Sequence, residues 1–442
     1  MRDCPKLELA LALAAMLSVM RLPAAAGAQD IVAERASREG PGFKVGRLVL
    51  HPGLGLEGGW DSNVFLQDSN EESSFILRLQ GYLDVATEGA ERQAEGETNE
   101  AEPQKIEFRG GVGAMYYHYF LERVPDNVAA DAHVDFSYNP SNVFSLVVRD
   151  IFTRYVRPFS EPNTTTGTTI SYGRNRNAAS LELVGRSKSG VLEGRVGYTN
   201  VLELFSASLY AYADNMTHLV PATFSWLFFP TSALVYTVEY AHQSYSNPAD
   251  VAASPTSLSD SNRVSSMVGY NGAITERFSL TAMIGYAAGF YQNGQAFDDV
   301  IARVDFRWMP RRTVGLTTGY DRLIRPSYIG NYTTVDRLRA DARFTIIGAL
   351  DLGVKAWLSF DNSGLALSPD GTLLGNQPTR KDIRFLAALY GEYRFKPWLG
   401  LFGEVGYLAD FTDFQYVGTA ALVDPVARYK KFQAWLGLRV FY

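Results

Sequence analysis

The sequence predicts an all-β protein that forms a transmembrane, antiparallel, up-and-down β-barrel of about 18 strands with short periplasmic turns and longer extracellular loops. The last strand, over 431–442, is the first observation behind this fold class. Alternate residues from Phe432 to Tyr442 are apolar there, and the other face is mixed. A lipid-facing barrel strand requires this pattern. The alternative is the edge strand of a soluble sandwich, which would leave an apolar edge uncovered.

Turns of two lengths alternate along the chain, and this is the second observation. Tight turns such as 139–142 and 187–190 are separated by longer segments rich in Ser, Thr, Asn, Gly and Pro, such as 247–261. Transmembrane barrels place short turns on the periplasmic side and longer loops outside. Counting the strand-like segments between turns gives about 18, and bacterial barrels have an even number.

Residues 1–28 have the features of a secretory signal peptide. A mostly apolar run over 7–20 is too short to cross a bilayer as a helix. Small residues at Ala26 and Ala28 form a cleavage site, and Cys4, the only cysteine, lies in the segment that would be removed. A mature chain without disulfides needs another source of stability, which a closed hydrogen-bonded barrel supplies.

The chain therefore divides into three predicted parts of a protein of the bacterial outer membrane. They are a cleaved signal peptide (1–28), a short periplasmic N-terminal segment (29–44) and the barrel (45–442). Within the barrel, 87–104 is predicted to be an acidic periplasmic loop, because it holds six glutamates against Arg92 alone. Two interpretations of this loop stay open: a solvated linker, or a contact for a partner protein.

Charged and apolar residues alternate along several strands, and the alternation predicts which face meets lipid. An Arg or Lys on the lipid face at mid-bilayer costs about 2–4 kcal/mol, so the charged face is predicted to line the lumen. The lumen-facing candidates for polymer or ion contacts are Arg303, Asp305, Arg307, Arg337, Arg339, Asp341, Arg343, Lys355, Trp357, Arg384, Arg394 and Arg439.

These charges allow two interpretations. The arginines could form an electropositive track for a polar, acidic polymer. Alternatively, they could pair with neighbouring Asp and Glu residues, brace the wall and neutralise one another. About 18 strands enclose a lumen wide enough for an aqueous channel in either case.

The sequence holds no recognisable catalytic constellation. The five histidines are scattered, without an H-E-x-x-H motif or metal-ligand spacing, and both a G-x-S-x-G elbow and a P-loop are missing. We therefore expect no enzyme, no metal and no cofactor. The formal net charge of −6 argues against a nucleic-acid partner.

Two segments resemble known outer-membrane proteins. Gly437, Val440 and Tyr442 are spaced as in the C-terminal assembly signal of bacterial barrels, which implies recognition by the barrel assembly machinery. The stretch 46–65, with an Asp-x-Asn-Val-Phe turn at 61–65, resembles the opening of a barrel family found with bacterial exopolysaccharide and capsule synthesis systems. The resemblance covers only the first two strands.

This resemblance implies a secretion porin of a Wzx/Wzy-type pathway. Such a porin conducts a bacterial exopolysaccharide (capsule, slime or spore-coat glycan) across the outer membrane. Its expected partners are outer-membrane lipid, the polysaccharide chain and a periplasmic polysaccharide export protein. The alternative function is a general or substrate-specific uptake porin. Alternatives of another class are a surface adhesin or a barrel enzyme.

Overall fold

A computed structural model describes residues 40–88, 104–156, 173–206, 213–246, 258–292, 296–327, 331–346, 348–365, 376–415 and 426–442. The predicted signal peptide, most of the predicted N-terminal segment and most of the acidic loop lie outside these residues. All 19 strands belong to one sheet. Strands β2 to β19 pair in chain order, and β19 returns to pair with β2. The predicted fold class, a closed antiparallel barrel of eighteen strands, is confirmed.

The strands are β1 (Phe43–Val45), β2 (Leu48–Asp61), β3 (Ser74–Thr87), β4 (Ile106–Tyr119), β5 (Asn127–Ser141), β6 (Phe144–Tyr155), β7 (Arg174–Arg186), β8 (Leu192–Phe205), β9 (Asn215–Phe229), β10 (Ser232–Tyr245), β11 (Ser261–Thr275), β12 (Phe278–Tyr291), β13 (Phe297–Arg311), β14 (Val314–Pro326), β15 (Tyr332–Ile346), β16 (Leu350–Leu365), β17 (Thr379–Lys396), β18 (Leu399–Phe411) and β19 (Tyr429–Phe441).

The two ends of the barrel differ in the length of their connections. At one end, seven hairpins from β5–β6 to β17–β18 are joined by two to five residues. At the other end, the nine connections from β2–β3 to β18–β19 contain five to eighteen residues. The segment between β3 and β4, which contains the predicted acidic loop, is the long exception at the short-turn end. In a transmembrane barrel the short-turn end faces the periplasm.

The short strand β1 completes the seam between the first and last barrel strands. β19 pairs with β2 from Gly53 to Asp61, and β1 pairs with β2 at Leu48 to Leu50, just beyond the end of β19. The ring of Phe43 stacks on the ring of Tyr442, with 4.0 Å between centroids. The sheet therefore begins at Phe43, two residues before the predicted start of the barrel.

The outer surface of the barrel is apolar. Outward side chains are open to the surroundings at mid-strand, as in Leu54 (64% exposed), Ile284 (60%) and Leu436 (61%). Such a continuous apolar band is unstable in water, whereas closure of the sheet satisfies every strand edge within the bilayer. The surface is therefore lipid-facing. No helix among the described residues is long and apolar enough to cross a membrane.

A belt of hydrogen-bonded tyrosines lies above this apolar band, toward the long loops. Each belongs to an even-numbered strand, and its hydroxyl contacts a polar side chain on the next strand or, for Tyr116, in the loop just before that strand. The pairs are Tyr116–Asp126, Tyr198–His218, Tyr240–Asn262, Tyr286–Asp298 and Tyr320–Asp336. Aromatic rings with a polar end suit the membrane interface. Hydrogen bonds from Tyr116 and His118 hold the pKa of Asp126, in the adjoining loop, below its usual range.

Candidate functional site: the lumen wall

The inner wall of the barrel is accessible to solvent at mid-height. Arg149 on β6 and Asp135 on β5 face inward as a pair, 3.2 Å apart, with side chains 47% and 40% exposed. Lys355 on β16, on another part of the wall, is 44% exposed. Because these charged side chains point to the interior, their exposure shows that the lumen is open at their level.

Strands β13 to β15 carry a charged network on their inward face. The carboxylate of Asp305 contacts Arg339 and accepts from Arg303 at 2.6 Å. The carboxylate of Asp321 lies 3.3 Å from Arg337 and 3.5 Å from Arg339. Three guanidinium groups thus share two carboxylates on this part of the wall.

The pairing continues around the barrel on β16 to β18, where each pair joins an inward cation to an inward carboxylate. These pairs are Lys355–Glu404 at 3.4 Å, Arg380–Asp382 at 2.8 Å, Arg380–Asp410 at 3.3 Å, Arg394–Glu392 at 2.8 Å and Arg384–Asp361. Of the two interpretations of the wall charges, mutual neutralisation describes β16 to β18, because the arginines of these strands are mostly buried against their partners.

A buried ionic cluster locks the seam between β19 and β2. Glu57 on β2 lies 2.5 Å from Arg78 on β3 and 2.7 Å from Arg439 on β19. The guanidinium of Arg78 lies over Trp435 at 3.6 Å, and that of Arg439 lies over Phe402 at 3.7 Å. Bidentate and stacked arginines of this kind are held rigidly. The cluster is inaccessible to a solute, so its role is to hold the wall.

Sequence reasoning placed Arg439 in the lumen but missed Glu57 and Arg78. Both lie on the first two barrel strands, within the segment that carries the opening motif. The signal was present, since Glu57 lies between Gly55 and Gly59 on the inward face of β2, with Asp61 as the other inward carboxylate of this strand. Closure of β19 on β2, which the sequence predicted, brings the three charges together.

Inward glycines allow large rings to lie flat against the wall. A Cβ atom on Gly59 would overlap the ring of Trp435, and one on Gly53 would overlap that of Tyr82. Gly353 makes the same room for Tyr390. The rings therefore lie against the wall at these three positions.

We expect Gly59→Ala to lower the free energy of unfolding by about 1–3 kcal/mol, because the added methyl group displaces Trp435 from its packed position. Gly58→Ala is the matched control: it is the adjacent residue on the outer face, with no atom within 4 Å of the added Cβ. Urea unfolding of each variant, folded in lipid vesicles, measures both free energies of unfolding. Equal stability of the two variants would show that the wall does not depend on this contact.

The wall from β9 to β12 is almost uncharged. Its inward residues are Ser, Thr, Asn, Gln, Gly, Ala and a few larger apolar or aromatic side chains. Among the described residues of these four strands, Glu239 and Arg263 are the only inward charges. The lumen therefore has a charged sector, from β13 through β19 to β8, and a neutral sector.

All twelve predicted lumen residues lie on the inward face of their strands. Their assignment as contacts of a polymer or ion stays a prediction. Of the predicted assembly residues, Gly437 faces inward against Glu57, whereas Val440 and Tyr442 face outward and are about 40% exposed. The amide of Tyr442 donates to the carbonyl of Pro52 at 2.9 Å, which ties the chain end to β2.

Within the described ranges, no three His, Cys, Asp or Glu side chains are grouped so that they could hold a metal ion. His133 lies closest to a carboxylate inside the barrel, with its Nε2 atom 3.6 Å from Asp84. Both are buried in the wall.

No protein-family model and no curated protein matches the sequence. Solved structures with a similar course of the chain are outer-membrane proteins of low sequence identity. The FrpB iron transporter from Neisseria meningitidis is 11% identical, with 89% of this chain and 81% of that chain covered and a TM-score of 0.44. The outer membrane protein OpdK from Pseudomonas aeruginosa is 8% identical, with 89% and 99% covered and a TM-score of 0.43.

The siderophore receptor PiuA from Acinetobacter baumannii is 9% identical, with 91% of this chain and 82% of that chain covered and a TM-score of 0.46. The fold of the present chain is defined by its own closed ladder of strands, its apolar outer surface and its polar interior. It is that of an outer-membrane β-barrel.

Proposed function

We propose that the protein is a water-filled channel that admits small polar solutes through the outer membrane. The observation that carries the proposal is the open, charged inner wall: Arg149, Asp135 and Lys355 are 40–47% exposed inside a barrel whose outside is apolar. Eighteen strands are enough to enclose an aqueous passage. A wall of paired charges and small polar side chains suits passive diffusion of polar solutes.

Two features support a small solute over a polymer. Most wall arginines are paired, so they form a braced surface and no continuous basic track. Part of the interior is also filled, because Ile76, Met115 and Tyr117 pack with Trp435 inside the barrel near the seam. The packing narrows the passage on that side, and the two features together favour solutes selected by size and charge.

Export of an exopolysaccharide is the second candidate function. The Asp61-Ser-Asn-Val-Phe65 turn favours it, since it resembles the opening of exopolysaccharide-associated barrels. In that case a periplasmic export protein would be a partner at the short-turn end.

Conductance of the purified full-length protein in planar bilayers tests the channel. We expect stepwise currents in potassium chloride, and swelling of protein-containing liposomes in small sugars and amino acids. Bilayers that stay silent with correctly folded protein would refute the proposal.

A deletion strain separates the two candidate functions. The small-solute channel predicts normal surface polysaccharide and slower uptake of small polar nutrients. Loss of a surface polysaccharide with unchanged nutrient uptake would instead establish export.

A further inference from the structure

We propose that the arginines on the inward face of β13 to β15 make the channel selective for small carboxylates. This inference rests on the proposed function, since it names the solute class that the same lumen would pass. It concerns the region around Arg307 and Arg343, between mid-height and the short-turn end.

The inward face of these three strands has a surplus of positive charge. Apart from Asp299 and Arg325 near the long loops, it carries five arginines (Arg303, Arg307, Arg337, Arg339 and Arg343) against three aspartates between them (Asp305, Asp321 and Asp341). Asp305 and Asp321 are already shared by three of the arginines. The carboxylates therefore cannot neutralise the whole row.

Arg307 is the arginine of this positively charged face that a solute can reach. Its side chain is half-buried, and its guanidinium makes no hydrogen bond or ion pair with any described residue. Its cross-strand neighbours are Ser279 on β12 and Thr317 on β14, both uncharged. A guanidinium in this setting binds a carboxylate through two parallel hydrogen bonds.

The neighbouring wall strengthens this preference. β12 begins the neutral sector, so an anion at Arg307 meets hydroxyl and small apolar side chains on that side. Across the lumen, nine strands away, β5 and β6 present the Arg149–Asp135 pair, in which the charges balance. A small carboxylate thus finds an excess of cationic donors on one wall, whereas on the other wall Asp131 is buried (3% exposed) and the exposed Arg149–Asp135 pair is balanced.

Reversal potentials across a potassium chloride gradient test the charge preference. The wild-type channel is expected to prefer chloride, and Arg307→Gln to lower the chloride-to-potassium permeability ratio by about twofold or more, since a lumen charge acts within a Debye length. Arg322→Gln is the control, because Arg322 lies on the outer face of β14, paired with Asp336 at 2.9 Å. It is expected to leave the ratio unchanged.

Arg307→Lys separates charge from carboxylate recognition. It should keep the chloride preference but weaken the block of chloride current by added sodium benzoate, because an ammonium offers no planar pair of donors. Conductance without an anion preference, or an Arg307→Gln channel identical to wild type in both measurements, would overturn this inference and leave the channel proposal standing. A complete lack of conductance would overturn the channel itself.

Discussion

Replacing Glu57 with glutamine is expected to lower the free energy of unfolding by about 3–5 kcal/mol, the largest effect that we predict for a single wall residue. The side chain of Glu57 is 1% exposed and lies against two arginines that are 3% and 6% exposed. A neutral amide leaves both guanidinium groups buried with less compensating charge. A buried ion that loses its partner costs several kcal/mol, because it cannot recover its hydration.

The position of Glu57 adds to this effect. It bridges β3 and β19 across the strand on which the barrel closes, and the ladder at this seam has nine residue pairs, fewer than the eleven between β3 and β4. Side-chain contacts across the seam therefore supplement a short ladder. Lys431–Asp61 at 2.7 Å and Arg439–Glu57 are two of them.

Glu182→Gln is the matched control. Glu182 lies 3.1 Å from Arg195 on the same inner wall, but the two side chains are 28% and 20% exposed. Water compensates such an open pair, so its loss should cost no more than about 1 kcal/mol. Urea unfolding in lipid vesicles, followed by tryptophan fluorescence, compares the two variants. A similar loss in both would show that Glu57 acts as an ordinary wall charge.

Ile284→Arg is expected to destabilise the barrel by about 2–4 kcal/mol, because it places a charge on the lipid face near mid-bilayer. Ile284 lies in the middle of β12 and is 60% exposed to the outside. Ser265→Arg on the adjacent strand is the control. Ser265 faces the lumen directly opposite Glu239 on β10, where an added guanidinium gains a partner.

The same unfolding experiment measures both arginine variants. We expect Ser265→Arg to fold with stability close to that of the wild type, and Ile284→Arg to unfold at clearly lower urea. The reverse order would mean that the inward and outward faces of these strands are exchanged. That outcome would also remove the basis for assigning Arg307 to the lumen.

The predicted alternation was correct along the middle of the strands and incomplete near the long loops. Arg322 and Asp336 are charged, yet they face outward in the tyrosine belt, where Arg322 contacts Asp336 at 2.9 Å. Alternation of charged and apolar residues identifies the lumen-facing side of a strand only within the hydrocarbon layer. Above it, the outer face also meets polar surroundings, so charge no longer separates the two sides.

The sequence by itself determined the strand alternation, the number of strands, the end that carries short turns and the inward face of Arg303 to Arg343. These properties are local, because a strand alternates its side chains with a period of two whatever its partners. Only the tertiary structure decided which charges are paired and which are open. Glu57 and Arg439 are 382 residues apart in the chain, and the register of the closing strands brings them together. The same register leaves Arg307 between Ser279 and Thr317.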